Sequence, residues 1–155
     1  MMTWLSALRR DKRGAAVIEL GMAAPVLAVL MIGMVDLSRG YSAKLQLTQA
    51  AQRSIEKVMQ GTQNTTVYQA LTTEAATAAG VPTTDVTVDW WLECNGTRQT
   101  NYNTNCPNGN TYARYLTVEV RKKYTPMFKT RYAGFAGGNS DGSWTLKGKA
   151  GIRVQ

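Results

Sequence analysis

The side chains that could do chemistry in this chain are few, and the commonest one is missing. There is no histidine among the 155 residues, which removes the usual general base and the usual metal ligand. A serine or cysteine nucleophile would lack its ordinary base, and two cysteines cannot by themselves complete a four-ligand zinc site. The carboxylates are scattered, with no close pair set for acid–base work. The run GFAGGNSDG precedes a strand pattern rather than opening a helix, so it does not read as a phosphate cradle. The expectation is no enzyme, no cofactor and no metal. Three other sets of residues carry readable chemistry. Cys94 and Cys106 flank an 11-residue polar loop. Arg121, Lys123, Lys147, Lys149 and Arg153 fall on the polar side of alternating patterns, in a chain of net charge +8. Glu19 is the single ionisable side chain in a long apolar run.

That lone carboxylate decides most about the element around it. Residues 1–14, MMTWLSALRRDKRG, form a basic leader. From Ala15 to Val35 the chain reads AAVIELGMAAPVLAVLMIGMV, and 21 helical residues span roughly 31 Å, about the hydrocarbon thickness of a bilayer. The segment is expected to cross a membrane, leader inside and the remainder outside, by the positive-inside rule. Three readings compete. A cleaved secretory signal is disfavoured by the length of the run, its early carboxylate and the lack of an A-x-A site before Asp36. An uncut signal anchor is the second. A leader clipped ahead of the run, leaving the helix in place, is the third. A charged carboxylate near a bilayer centre costs about 2.5 kcal/mol or more, so Glu19 reaches the headgroups, sits there protonated, or finds a cation at its own depth. A cut between Gly14 and Ala15 would create one, the Ala15 ammonium, which a neighbouring subunit's Glu19 could neutralise. Pro25 deletes one helical hydrogen bond, and a harmless kink is the preferred reading.

Lys12-Arg13-Gly14, then Ala15, then Glu19 at the fifth position after the glycine, resembles the prepilin peptidase site of type IV pilins and pseudopilins. The wider stretch RRDKRGAAVIELGMAAPVLAVLMIGMVDLSRGY resembles the TadE-like family of the tight-adherence (Tad) pilus apparatus. Pro25, Gly33 and Asp36 match that family's early proline and its short exit segment. The major Flp-type pilins have Glu-Tyr where this chain has Glu19-Leu20, and they are much shorter. The resemblance is therefore to a pseudopilin or minor pilin, and it is best over residues 9–60. It implies processing after Gly14 by a prepilin peptidase, with Gly14, Ala15 and Glu19 as the processing site. It also implies a bacterial inner-membrane location, with the C-terminal domain periplasmic or extracellular, and other Tad pilins or pseudopilins as partners. The alternative from a different class is an uncleaved single-pass anchor displaying a binding module for adhesion, DNA capture or a partner protein.

The elements that must position these groups follow from the apolar period. Leu37, Tyr41, Leu45, Thr48, Ile55 and Met59 recur at helical steps, predicting that the helix continues over 36–60 and stops at Gly61. A single helix from Ala15 to Gln60 would reach roughly 69 Å. That stripe is expected to pack chiefly against its own domain, and secondarily against other helices in a filament. A polar break at 62–66 precedes a second, short helix over Val67–Ala79, ended by Gly80 and Pro82. The remainder alternates with period two. Val86, Val88, Trp90 and Leu92 share one face, as do Tyr112, Leu116, Val118, Val120 and Tyr124, with Arg114 the exception, and Trp144, Leu146, Ala150, Ile152 and Val154. The expected fold is α+β, with two helices covering one face of a three-stranded antiparallel sheet and the other face wet. The expected division is leader 1–14, membrane helix 15–35, helix continuation 36–60 and α+β domain 61–155.

Outside the cytoplasm the cysteine pair reads as a disulfide, with redox or metal chemistry the weaker reading. Closing a loop of that size is worth about 3 kcal/mol. The Asn64 and Asn95 glycosylation triplets read as chance in Asn/Thr-rich loops. Trp90 and Trp91 point to opposite faces, leaving Trp91 a partly covered surface aromatic. The five bases are expected to form a solvated face whose lysines discourage edge pairing. A nucleic-acid, anionic-surface or acidic-partner site is the less favoured use, because no aromatic platform is evidently interleaved with them.

Overall fold

The computed structural model describes residues 13–60, 65–127 and 138–154. The leader residues 1–12, the stop at Gly61, most of the polar break and the stretch 128–137 lie outside the described residues. The chain forms two compact units, 1–38 and 39–155.

Helix α1 runs Arg13–Gln60, 48 residues with Pro25 inside it. Its part within the first unit is apolar on every side. Val17, Ile18, Leu20, Met22, Val26, Leu30 and Met34 are all exposed. Mean hydropathy reaches 2.1 in its most apolar 18-residue window, none of which is buried. A helix apolar all round belongs in a bilayer or inside a bundle, and by length and composition α1 is a candidate membrane span. Gly21 stands four residues before Pro25, so the carbonyl that a proline ring crowds belongs to a residue without a side chain.

The second unit is an α+β sandwich of two layers. Helix α2 spans Thr65–Ala79, and its end is a left-handed glycine cap. Gly80 has φ +61, its N–H donates to the Thr77 carbonyl, and the Val81 N–H reaches back to Ala76, which satisfies two orphan carbonyls. A 3₁₀ turn at Thr83–Asp85 leads into strand β1, Val86–Cys94. Strands β2 (Thr97–Arg98), β3 (Tyr112–Tyr124) and β4 (Trp144–Arg153) follow. The sheet is antiparallel in the order β2-β1-β3-β4.

The sheet thus has four strands, not three. The extra one lies inside the polar loop. Asn95 (φ 49) and Gly96 (φ 77) connect β1 to β2 as a two-residue turn with both centres left-handed, the hairpin geometry that Asn-Gly favours.

The inner face follows the alternation. In register across the sheet stand Trp90–Leu116–Ile152, Val88–Val118–Ala150 and Val86–Val120–Gly148. Tyr68, Leu71, Ala75 and Ala76 of α2 complete the core with the buried face of α1. That buried face is Leu47, Ala50, Ala51, Ser54, Ile55 and Val58. Of the stripe expected to be covered, only Ile55 is buried; Leu37, Tyr41, Leu45 and Met59 are exposed. Small residues explain the difference. Ala50, Ala51 and Ser54, whose hydroxyl donates to the Ala50 carbonyl, let the helix axis approach the sheet closely. Gly148 receives it, since a Cβ there would collide with the backbone of Leu47 and Thr48.

Candidate functional site

Chemistry-bearing residues gather in two places, one in each unit. In the first unit, Gly14 lies in the first turn of α1, where an added Cβ would meet nothing within 4 Å among the described residues. Four residues separate Ala15 from Glu19, which puts both on one side of the helix. Glu19 is exposed and makes no ion pair among the described residues, sitting between Ile18 and Leu20 in the apolar segment.

In the second unit the site is the outer face of the sheet and the loop at its β1–β2 end. All five expected bases lie on that face. Arg121 stands directly across from Lys147 in the β3–β4 register, a like-charge pair that is destabilising unless bridged. Glu119 bridges it, accepting from the Arg121 Nε at 2.7 Å with the Lys147 Nζ at 3.9 Å. The hydrogen bond from Arg121 is the main cause of a Glu119 carboxyl held below its ordinary value, with Lys147 and Lys149 adding to it. Lys149 stands opposite Glu119 in register. Lys123 meets Asp141 at 2.5 Å. That contact, followed by the hydrogen bonds from Ser143, holds the Asp141 carboxyl well below the usual carboxylate range. Arg153 donates to the Tyr112 carbonyl. The bases are therefore largely engaged with acids and carbonyls of the sheet and of the turn that leads into β4.

Aromatic rings do interleave with them, contrary to expectation. Trp91 and Tyr115 are cross-strand partners whose rings stack at 5.3 Å. Arg153 lies in register beyond Tyr115, and the Arg98 guanidinium sits 4.8 Å from the Trp91 ring centroid. β2 and β3 flank β1 on opposite sides, so Trp91 is held between Arg98 and Tyr115. The signal was the same alternation that placed Trp91 outside; Tyr115 shares its parity on β3.

The loop beyond β2 is tied down at several points. Cys94 and Cys106 are disulfide-bonded, as expected. Asn95, read as a chance glycosylation triplet, is structural: its Oδ1 accepts from the Thr111 amide and hydroxyl, and its Nδ2 donates to Asn110. Tyr102 packs edge-on against buried Tyr68, hydroxyl to hydroxyl at 3.1 Å. Burial, then that hydrogen bond, pushes the Tyr68 phenol well above its ordinary value. Beside this loop lies a cavity of about 570 Å³.

Residues 14–55 match the family model described as TadE-like protein. No curated protein and no solved structure matches the chain. The TadE-like match covers α1 from Gly14 through Ile55, which takes in all of its buried face but Val58, and it ends before α2 and the sheet.

Proposed function

Starting from a chain whose residues 14–55 are TadE-like, we propose that the protein is a minor pilin or pseudopilin of a Tad-type pilus. It enters the inner membrane leader-first, is clipped after Gly14 by a prepilin peptidase, and assembles through α1. Its work is assembly rather than turnover, and its partners are other pilins or pseudopilins of the apparatus. The observation that carries this reading is Glu19, five residues after Gly14, exposed at the head of a helix that is apolar all round.

The physical logic is electrostatic. A new ammonium at Ala15 would sit at the positive end of the helix macrodipole, where a cation is disfavoured. A carboxylate one turn along offsets it, and in an apolar medium the pair is worth more than in water. Subunits that align Glu19 of one helix with Ala15 of another bury both charges together, whereas a misregistered pair leaves each alone at high cost. Assembly is thereby rewarded only in the correct register. Gly14 in the first helical turn supports access to the cut, because a terminal turn ending in glycine unwinds cheaply.

The test is the mature N-terminus, read by intact mass and terminal sequencing with and without a co-expressed prepilin peptidase. A peptidase-dependent start at Ala15 is the expected result. A chain that keeps its leader under both conditions overturns the reading in favour of an uncleaved anchor carrying a binding domain.

A further inference from the structure

Taking from the proposed function only that α1 crosses a bilayer, we infer that the end of the sheet where β3 stops and β4 starts rests on anionic phospholipid headgroups. The last buried row of the inner face at this end is Val120–Gly148, which the helix meets at Leu47 and Thr48. Two more rows follow on the same face, Lys122–Leu146 and Tyr124–Trp144. Helix and strand run on together past the core. An added Cβ on Gly40 would stand 3.6 Å from the Tyr124 ring, and the Arg39 Nη1 donates to the Met127 sulfur at 3.7 Å. This end of the sheet therefore lies against the first residues of the second unit, Arg39 and Gly40.

Chain connectivity keeps that end near the membrane. Arg39 follows Val35, the last residue of the expected span, by four residues, which reach at most about 14 Å in any conformation. A headgroup layer about 5–7 Å deep lies outside the hydrocarbon, and charge at its surface is felt over about 8 Å at physiological salt. Arg39 is thus within electrostatic reach of the headgroups whatever the angle between domain and bilayer.

The residues there match such a surface in charge and in polarity. Arg39, Lys44 and Lys122 are exposed, and none of the three meets a carboxylate among the described residues. Lys122 has the parity of Val118 and Val120, so a cation takes a core-facing position where the core has ended. Lys44 falls between Gly40 and Leu47 on the side of α1 turned to the sheet. The outer-face bases Arg121, Lys123 and Arg153 differ, being held by Glu119, Asp141 and the Tyr112 carbonyl. Asp141 is itself occupied by Lys123 and Ser143. Asp36 offsets one charge, and this end stays cationic. Tyr41, Met127 and Trp144 are exposed beside the bases, and such apolar bodies, two with polar tips, suit the interfacial layer. Lipid phosphate supplies the counter-charge, worth roughly fivefold in affinity per base at an anionic surface. A nucleic acid offers phosphate without an apolar layer, and only the bilayer is held in place by the chain itself.

The experiment uses the full-length chain in nanodiscs of phosphatidylcholine alone and of phosphatidylcholine mixed with phosphatidylglycerol. Lysines are acetylated with sulfo-N-hydroxysuccinimide acetate, and the rate at each is read by peptide mass spectrometry. Lys122 reports on the sheet end and Lys44 on the helix beside it, while Lys149 on the outer face is the internal control. Phosphatidylglycerol is expected to slow Lys122 and Lys44 about fivefold relative to Lys149, and high salt to remove the difference. Protection of Lys44 without Lys122 overturns the proposal, since the tether alone accounts for it. So does equal labelling in both lipids. Protection that follows the number of chains per disc rather than lipid charge also overturns it, in favour of a contact between copies. A chain that leaves the discs on gel filtration overturns the membrane reading and this inference together. The discs take the chain with or without its leader, so a failure of leader processing is read separately.

Discussion

At Gly148 a single missing methyl group sets the distance between two layers. Its added Cβ would fall on the backbone of Leu47 and Thr48, and helix backbone cannot rotate away as a side chain can. Gly148→Ala is therefore expected to destabilise the domain by about 1–3 kcal/mol. This would be read as a lower denaturation midpoint at constant m-value. Gly151 makes the control, because its Cβ would meet mainly the Thr117 Cγ2 at 2.8 Å, on the wet face where Thr117 can turn. Gly151→Ala should cost less, and a reversed order would refute this account of the packing. Asp141 supplies a pH dependence. Its folded carboxyl is depressed by Lys123 and Ser143 below the ordinary 3.8. Its contribution is thus fully present above that value and lost as pH falls toward the folded one. Between about pH 5 and pH 2 the wild type should lose stability more steeply than Asp141→Asn, with urea midpoints as the measurement.

Among the elements, the hairpin β1–β2 and its loop show what pattern reading sees and misses. The disulfide was legible from the cysteine pair and the expected compartment. The fourth strand was not, because two residues, Thr97 and Arg98, are too few to alternate. Its signal was Asn95-Gly96, a turn dipeptide rather than a strand pattern. The period of α2 and the three longer strands was enough to place the core of the sheet. The period of α1 pointed to the wrong side, since bulky Leu45 and Met59 outweigh Ala50, Ala51 and Ser54 on any hydrophobicity count. Close packing on Gly148 selects the small residues, and that depends on a contact distant in sequence. The loop also yields a prediction. Cys94→Ala/Cys106→Ala frees the 11-residue loop and should cost about 3 kcal/mol, measured by guanidinium denaturation against the oxidised wild type. Reductant should lower the wild-type midpoint to that of the variant and leave the variant unmoved. A midpoint indifferent to reductant would mean that Tyr102, held by Tyr68, orders the loop alone.

For the molecule as a whole, the proposed function assigns stability and assembly to different residues. Among the described residues, every buried hydrophobic side chain lies between Leu47 and Val120, all within the unit 39–155. The first unit has exposed apolar side chains along α1 and a carboxylate with no ion partner among the described residues. A chain beginning at Arg39 should accordingly fold by itself, with dispersed amide NMR signals and the Cys94–Cys106 bond formed. Collapse of that fragment into a poorly dispersed state would place core contacts in the first unit after all. The same division predicts opposite readouts for one substitution. Glu19→Gln keeps size and shape but removes the charge that offsets an Ala15 ammonium. It should leave the melting temperature of the C-terminal domain unchanged, since Glu19 is exposed and lies outside the unit that holds the core. Under the proposed function it should reduce recovery in sheared pilus fractions by about tenfold or more, the scale of losing a desolvated ion pair. Leader cleavage, read on the same samples, separates a failure of pairing from a failure of processing. Normal pilus recovery by a correctly cleaved Glu19→Gln chain would mean that register is set elsewhere along α1, with the exposed Tyr41 and Leu45 the next positions to substitute.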